Sequence, residues 1–224
     1  MFPIGDDNVR GQHAPIATWI LLVLNVLVFL YEATLSEPAL TRFITQYGVI
    51  PANIMQGDGL GTLLTSMFLH GGWMHLIGNM LFLWVFSDNI EAVIGTPLYF
   101  VFYLAGGLAG SAAHILSATA STIPSIGASG AIAAVLGAYI LMFPKSRVRL
   151  LVFLGYRAGV TRVSAIVFLG IWAVTQFFSG VASLGVATAQ TGGVAWFAHI
   201  GGFAFGLVVG GLLRGRASRA VLTG

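Results

Sequence analysis

The sequence predicts an all-α, polytopic membrane protein: a bundle of six transmembrane helices. Two observations and one length argument carry that reading. The 224 residues are 57% hydrophobic and only 8% charged, more apolar surface than a water-soluble domain of this size can hide. Residues 92–144 contain no Asp, Glu, Lys or Arg, and neither do residues 163–213. A single span needs about 20 apolar residues at about 1.5 Å rise per residue, so each run is too long for one helix and long enough for two.

The elements follow in order. Residues 15–33 form the first span, with Pro15 suited to a first helical turn. No small-x-small site follows it, so a cleaved signal peptide is not expected. The longest connection, 35–71, comes next. Its second half, 59–70 (GLGTLLTSMFLH), is too apolar for a freely solvated loop and is expected in the membrane interface. The second span covers 72–90. The first uncharged run breaks at 117–125 (SATASTIPS) into spans 97–117 and 126–143. The second breaks at 179–193 (SGVASLGVATAQTGG) into spans 162–179 and 194–213. The chain thus divides into a short arm (1–14), a membrane domain (15–213) and a basic tail (214–224). The uncharged segment 180–193 is expected to act as a mobile cap.

Charge sets the orientation. Arg10, Lys145, Arg147, Arg149, Arg157, Arg162, Arg214, Arg216 and Arg219 fall on one side of this scheme, and Arg42 alone on the other. By the positive-inside rule both termini face the cytoplasm; a six-span core suggests, by analogy, the plasma (inner) membrane of a prokaryote. The net charge of +3 is therefore a topology signal, and no nucleic-acid partner is expected. There is no cysteine, which excludes thiol catalysis and Cys-ligated metal.

Polar side chains inside a bilayer are costly and suggest function. The candidates are His75, Asn79, His114, Ser129 and His199. Ser129 is 15 residues before Pro144, His199 is 15 before Arg214, and His75 is 13 before Asp88. At helical rise these three lie about 20–22 Å from the basic side, at one depth in the outer half of the bilayer. His75 and Asn79, four apart, share a helix face, and either can donate to an anionic oxygen. Ser129, in Gly127-Ala-Ser-Gly130, falls in a first helical turn, where unpaired N–H groups and the helix dipole favour a developing oxyanion. His199 precedes Gly202, Gly206 and Gly210, whose four-residue spacing allows close packing in lipid. Gly130, Ala134 and Ala138 form a matching strip, and two such strips in contact would bring His199 to Ser129.

Other chemistries lack their residues. Ala131 replaces the second glycine of a Gly-x-Ser-x-Gly elbow. There is no His-Glu-x-x-His, and neither metal nor cofactor is expected. Asp58 and Asp88 are too far apart for an aspartic pair. A pore would need polar residues through the inner half, yet 201–213 has no polar side chain.

These residues resemble the rhomboid family of intramembrane serine proteases. The matching stretches are His70-Gly-Gly-Trp-Met-His75-Leu-Ile-Gly-Asn79, Glu91-Ala-Val-Ile-Gly95, Gly127-Ala-Ser129-Gly130 and Ala198-His199-Ile-Gly-Gly202. The resemblance implies a Ser129/His199 catalytic dyad without a carboxylate. It implies an oxyanion site of His75, Asn79 and the Ser129 N–H, and structural support from Gly127, Gly130, Gly202, Glu91 and His70. Its implied substrates are transmembrane segments of other proteins, cut near the outer surface within the lipid bilayer. The alternative is a catalytically silent relative that binds membrane helices. One position departs from the family: Ala133 stands where members often carry a tyrosine stacked on the catalytic histidine. What orients His199 is thus left open, with Trp196, Phe197 or a residue of another span as candidates. His114 has no assigned role.

Overall fold

The structure, a computed structural model, describes residues 2–9, 14–154, 157–183, 195–219 and 222–223. The chain opens with β1 (Phe2–Gly5) and β2 (Asn8–Val9), then α1 (Ile16–Glu32). The long connection folds into α2 (Glu37–Tyr47), α3 (Pro51–Met55), α4 (Thr62–Thr65) and a 3₁₀ turn, Ser66–Phe68. The bundle continues with α5 (Trp73–Ile94), α6 (Thr96–Ser117) and α7 (Ser129–Met142). A hairpin, β3 (Arg147–Leu154) and β4 (Arg157–Ser164), leads into α8 (Ala165–Ala182), then α9 (Trp196–Ala217) and β5 (Leu222–Thr223). Prolines sit in the first turns of α2, α3 and α6, where a missing N–H costs nothing.

Four helices, α5, α6, α8 and α9, are long and apolar enough to cross a membrane. The apolar helices α1 and α7 are shorter, at 17 and 14 residues. All six overlay the expected spans, but their ends differ. Helix α5 runs on to Ile94, so Asp88 and Glu91 lie inside it instead of closing it. Helix α9 likewise continues past Arg214 to Ala217. Helix α8 begins at Ala165, because the three residues before it belong to β4.

That strand is part of a three-stranded antiparallel sheet, in the order β1-β3-β4, which apolar-run counting does not register. Arg149 pairs with Arg162 and Leu151 with Val160. The pattern has period two: Val148 and Leu150 are buried, while Arg147, Arg149 and Phe153 are exposed. A stretch expected as a charged loop is thus a hairpin whose inner face closes one end of the helix core.

Two carboxylates tie that end together. Glu91 accepts from the N–H groups of Ala17 (2.8 Å) and Thr18 (2.9 Å), and from the hydroxyls of Thr18 (2.8 Å) and Thr96 (2.7 Å). It caps the first turn of α1 and binds α1, α5 and α6 in one network. Asp6, buried beyond β1, accepts from Tyr139 of α7 and from Asn89 Nδ2 of α5 at 3.0 Å. Burial pushes its carboxyl up to about 7, opposed by the bond from Tyr139, with the Asp88 charge adding to the rise.

Helix α7 is the centre of the bundle. Every residue from Gly130 to Tyr139 is buried. Its main neighbour is α9, and the two touch backbone to backbone. A Cβ on Gly202 would run into the Gly130 carbonyl, and one on Gly206 into the Ala134 carbonyl. One on Gly210 would sit 2.7 Å from Ala138 Cα. The two small-residue strips read from the sequence are the two faces of this seam.

Candidate active site

Three helices start at the same end of the bundle, and each brings one side chain there. Ser129 is the first residue of α7, His75 the third of α5, and His199 the fourth of α9. The unpaired N–H groups and positive dipole ends of these helices converge. Ser129, His199, His75 and Asn79, with Gly127 and Gly130, line one cavity of ≈ 750 Å³. Among the described residues no hydrogen bond joins Ser129 to His199; they share a wall without a bond. Catalytic hydrogen bonds are often long in free enzymes.

The approach to Ser129 is set by Gly127. Its φ of +130° favours glycine, and a Cβ there would lie 2.8 Å from His75 Nε2 and 3.6 Å from Ser129 Oγ. The imidazole of His75 therefore lies directly over the loop that delivers Ser129. That loop is pinned by the Gly127 N–H donating to the Ser66 carbonyl at 2.9 Å.

The donors have definite states. The Gly71 N–H donates to His75 Nδ1 at 3.3 Å. Nδ1 is thereby the acceptor, and Nε2, the atom facing Gly127, carries the proton of the neutral ring. Asn79 is buried, and among the described residues its Nδ2 has no partner. A buried amide donor without an acceptor is costly, and this one belongs to a residue that lines the cavity. Both states suit the reception of a negative oxygen.

His70 lies behind His75, with ring centroids 5.1 Å apart, and its N–H donates to Glu32 Oε2 at 3.1 Å. It packs edge-on against His75 and does not line the cavity. In the connection expected in the interface, Ser66, Met67, Leu69 and His70 are buried against protein, while Leu60 and Leu64 are exposed. His114 is buried on α6, outside the lining. Of the expected cap, 180–183 are the end of α8 and its turn; residues 184–193 lie outside the described residues.

The sequence left the partner of His199 open, and the structure supplies it from α8. His199 Nδ1 lies 2.7 Å from Gln176 Oε1. The ring also meets Trp172 (centroids 6.0 Å, planes at 35°) and Trp196 (6.1 Å, 86°). Trp196 was among the expected candidates, whereas Gln176 and Trp172 were not named. An isolated glutamine in an uncharged apolar run was the available signal, since an amide in lipid needs a partner. Ala133 is fully buried, with its Cβ 3.3 Å from where a Gly202 Cβ would lie. It belongs to the α7–α9 seam.

Fold and site together define a multi-pass helical membrane protein with a serine, two histidines and an asparagine around one cavity. The rhomboid domain model matches residues 58–216, and the chain belongs to the rhomboid family. It is similar to Rhomboid protein 1, mitochondrial, of Saccharomyces cerevisiae, at 32% identity over 63% of this chain and 40% of that protein. It is similar to Rhomboid protease GluP of Bacillus subtilis, at 32% identity over 59% of this chain and 26% of that protein. It is also similar to the human Presenilin-associated rhomboid-like protein, mitochondrial, at 29% identity over 84% of this chain and 45% of that protein. The chain thus spans less than half the length of these relatives.

Proposed function

We propose that the chain is an intramembrane serine endopeptidase that cleaves transmembrane segments of other proteins. The observation that carries this reading is the cavity shared by Ser129, His199, His75 and Asn79, whose Nδ2 has no partner among the described residues. Ser129 Oγ attacks the scissile carbonyl, and His199 Nε2 takes its proton and returns it to the leaving amine. The tetrahedral oxyanion is met by His75 Nε2–H, Asn79 Nδ2–H and the Ser129 N–H. Water then releases the acyl group. The similarity to a relative named as a protease supports the same reading.

An intact helix shields its peptide bonds, so the substrates are membrane helices with Gly, Pro or polar residues near one end. The charge distribution supports a six-span arrangement with both termini on the cytoplasmic side and the cavity opening on the opposite face. The test is cleavage of a glycine-containing transmembrane reporter in proteoliposomes. Wild type cuts it, whereas Ser129→Ala and His199→Ala do not. Binding of the reporter without cleavage by wild type would favour the silent, helix-binding relative instead.

A further inference from the structure

The base of a serine hydrolase needs its far nitrogen held, so that the near one presents a lone pair to the hydroxyl. Among the described residues no carboxylate is hydrogen-bonded to His199, and the family's stacking tyrosine is replaced by Ala133. We propose that Gln176 is the positioning residue of His199: its amide oxygen fixes the Nδ1–H tautomer and aims Nε2 into the cavity that holds Ser129. This rests on the protease reading of the site.

The argument is a chain of hydrogen bonds with one consistent direction. The Thr175 hydroxyl donates to the Trp172 carbonyl at 2.6 Å. With its proton committed, Thr175 Oγ1 can only accept from Gln176, and Gln176 Nε2 donates to it at 3.4 Å. The amide orientation is thereby set, leaving Oε1 toward His199 at 2.7 Å. A carbonyl oxygen only accepts, so His199 Nδ1 must carry the proton and neutral Nε2 must be bare. Turning the amide over would place two acceptors together at Thr175 and produce the wrong tautomer. Trp172, from the same turn of α8, packs against the ring that Gln176 holds.

An amide differs from a carboxylate in a measurable way. It orients the ring but, lacking a negative charge, stabilises the imidazolium that forms when the proton is taken far less. Gln176→Glu therefore keeps the geometry and adds a charge, whereas Gln176→Leu keeps the bulk and removes the acceptor. The test follows covalent fluorophosphonate labelling of the full chain against pH, together with ¹⁵N imidazole spectra that report the tautomer without requiring activity. Gln176→Leu should label about 10- to 100-fold more slowly, with an unchanged unfolding temperature, and the His199 signal should lose its pure Nδ1–H signature. Gln176→Glu should recover most of the rate, with the acid limb of its profile moved to higher pH.

Equal rates and spectra for wild type and Gln176→Leu would overturn the assignment. Equal slowing of both variants with no movement of the profile would also overturn it, since that is the behaviour of a packing residue. A wild type that does not label at all would fail the protease reading itself; a labelled wild type indifferent to Gln176 would fail only this inference.

Discussion

Helices α7 and α8 present opposite solutions to the same lipid problem. Helix α7 is buried without interruption from Gly130 to Tyr139, locked against α9 through backbone contacts that only small residues permit. Helix α8 buries only Ala165, Leu169 and Gly180, and leaves Ile166, Val167, Ile171, Val174, Phe177 and Phe178 exposed. The proposed nucleophile rides on the first and the proposed positioning residue of the base on the second. In this proposal a rigid element fixes where the reaction occurs, while a lightly packed one holds the group that sets the protonation state.

The largest expected effect comes from breaking the seam. Gly206→Leu would force a side chain into the Ala134 carbonyl, and backbone cannot move aside as a rotamer can. The expected cost is about 3 kcal/mol or more, read as loss of the folded fraction or a lowered unfolding temperature in detergent. Ala133→Tyr comes next. Supplying the family's tyrosine looks like a repair, but Ala133 is fully buried beside Gly202. The variant should lose activity and unfold at lower temperature, and a gain in activity would show that the ring finds room toward His199.

A smaller effect sharpens the comparison at the other end of α7, where Tyr139 holds Asp6. The groups around that carboxyl are Tyr139, Asn89, Asp88 and Asp7, with Arg149 over the neighbouring Gly5. Its folded value of about 7 lies above the ordinary 3.8, so the folded state holds the proton more tightly than the unfolded one. The stabilisation is complete below about pH 4 and declines as pH rises through 7. Asp6→Asn should flatten that decline in unfolding temperature measured from pH 4 to 8. The smallest effect belongs to α8's outer face: Phe178→Ala, at a position 66% exposed, should change stability by less than about 0.5 kcal/mol.

Much of this was legible in the sequence because lipid makes the code simple. Uncharged runs give the helices, and the glycine strips of Gly202, Gly206 and Gly210 give their closest contact. His75, Asn79, Ser129 and His199 stood out as costly polar groups at one depth. Two features were hidden for physical reasons. The β3–β4 hairpin has eight residues per strand, below the length at which a span is counted, and its buried–exposed alternation is confined to Arg147–Leu150 of β3. The partner of His199 depends on how α8 rotates against α9, and a single glutamine carries no spacing to read. The helix ends were also misplaced: Asp88 and Glu91 seemed to close α5, but Glu91 is satisfied within the bundle by α1 and α6.

The central claim is that Ser129 is a nucleophile activated by His199. Intact-mass and peptide analysis of the fluorophosphonate-treated protein tests it without knowledge of the substrate. The account predicts one adduct, on Ser129, absent in Ser129→Ala and formed at least about 100-fold more slowly in His199→Ala. An adduct on another residue, or equal labelling of Ser129→Ala, would contradict it.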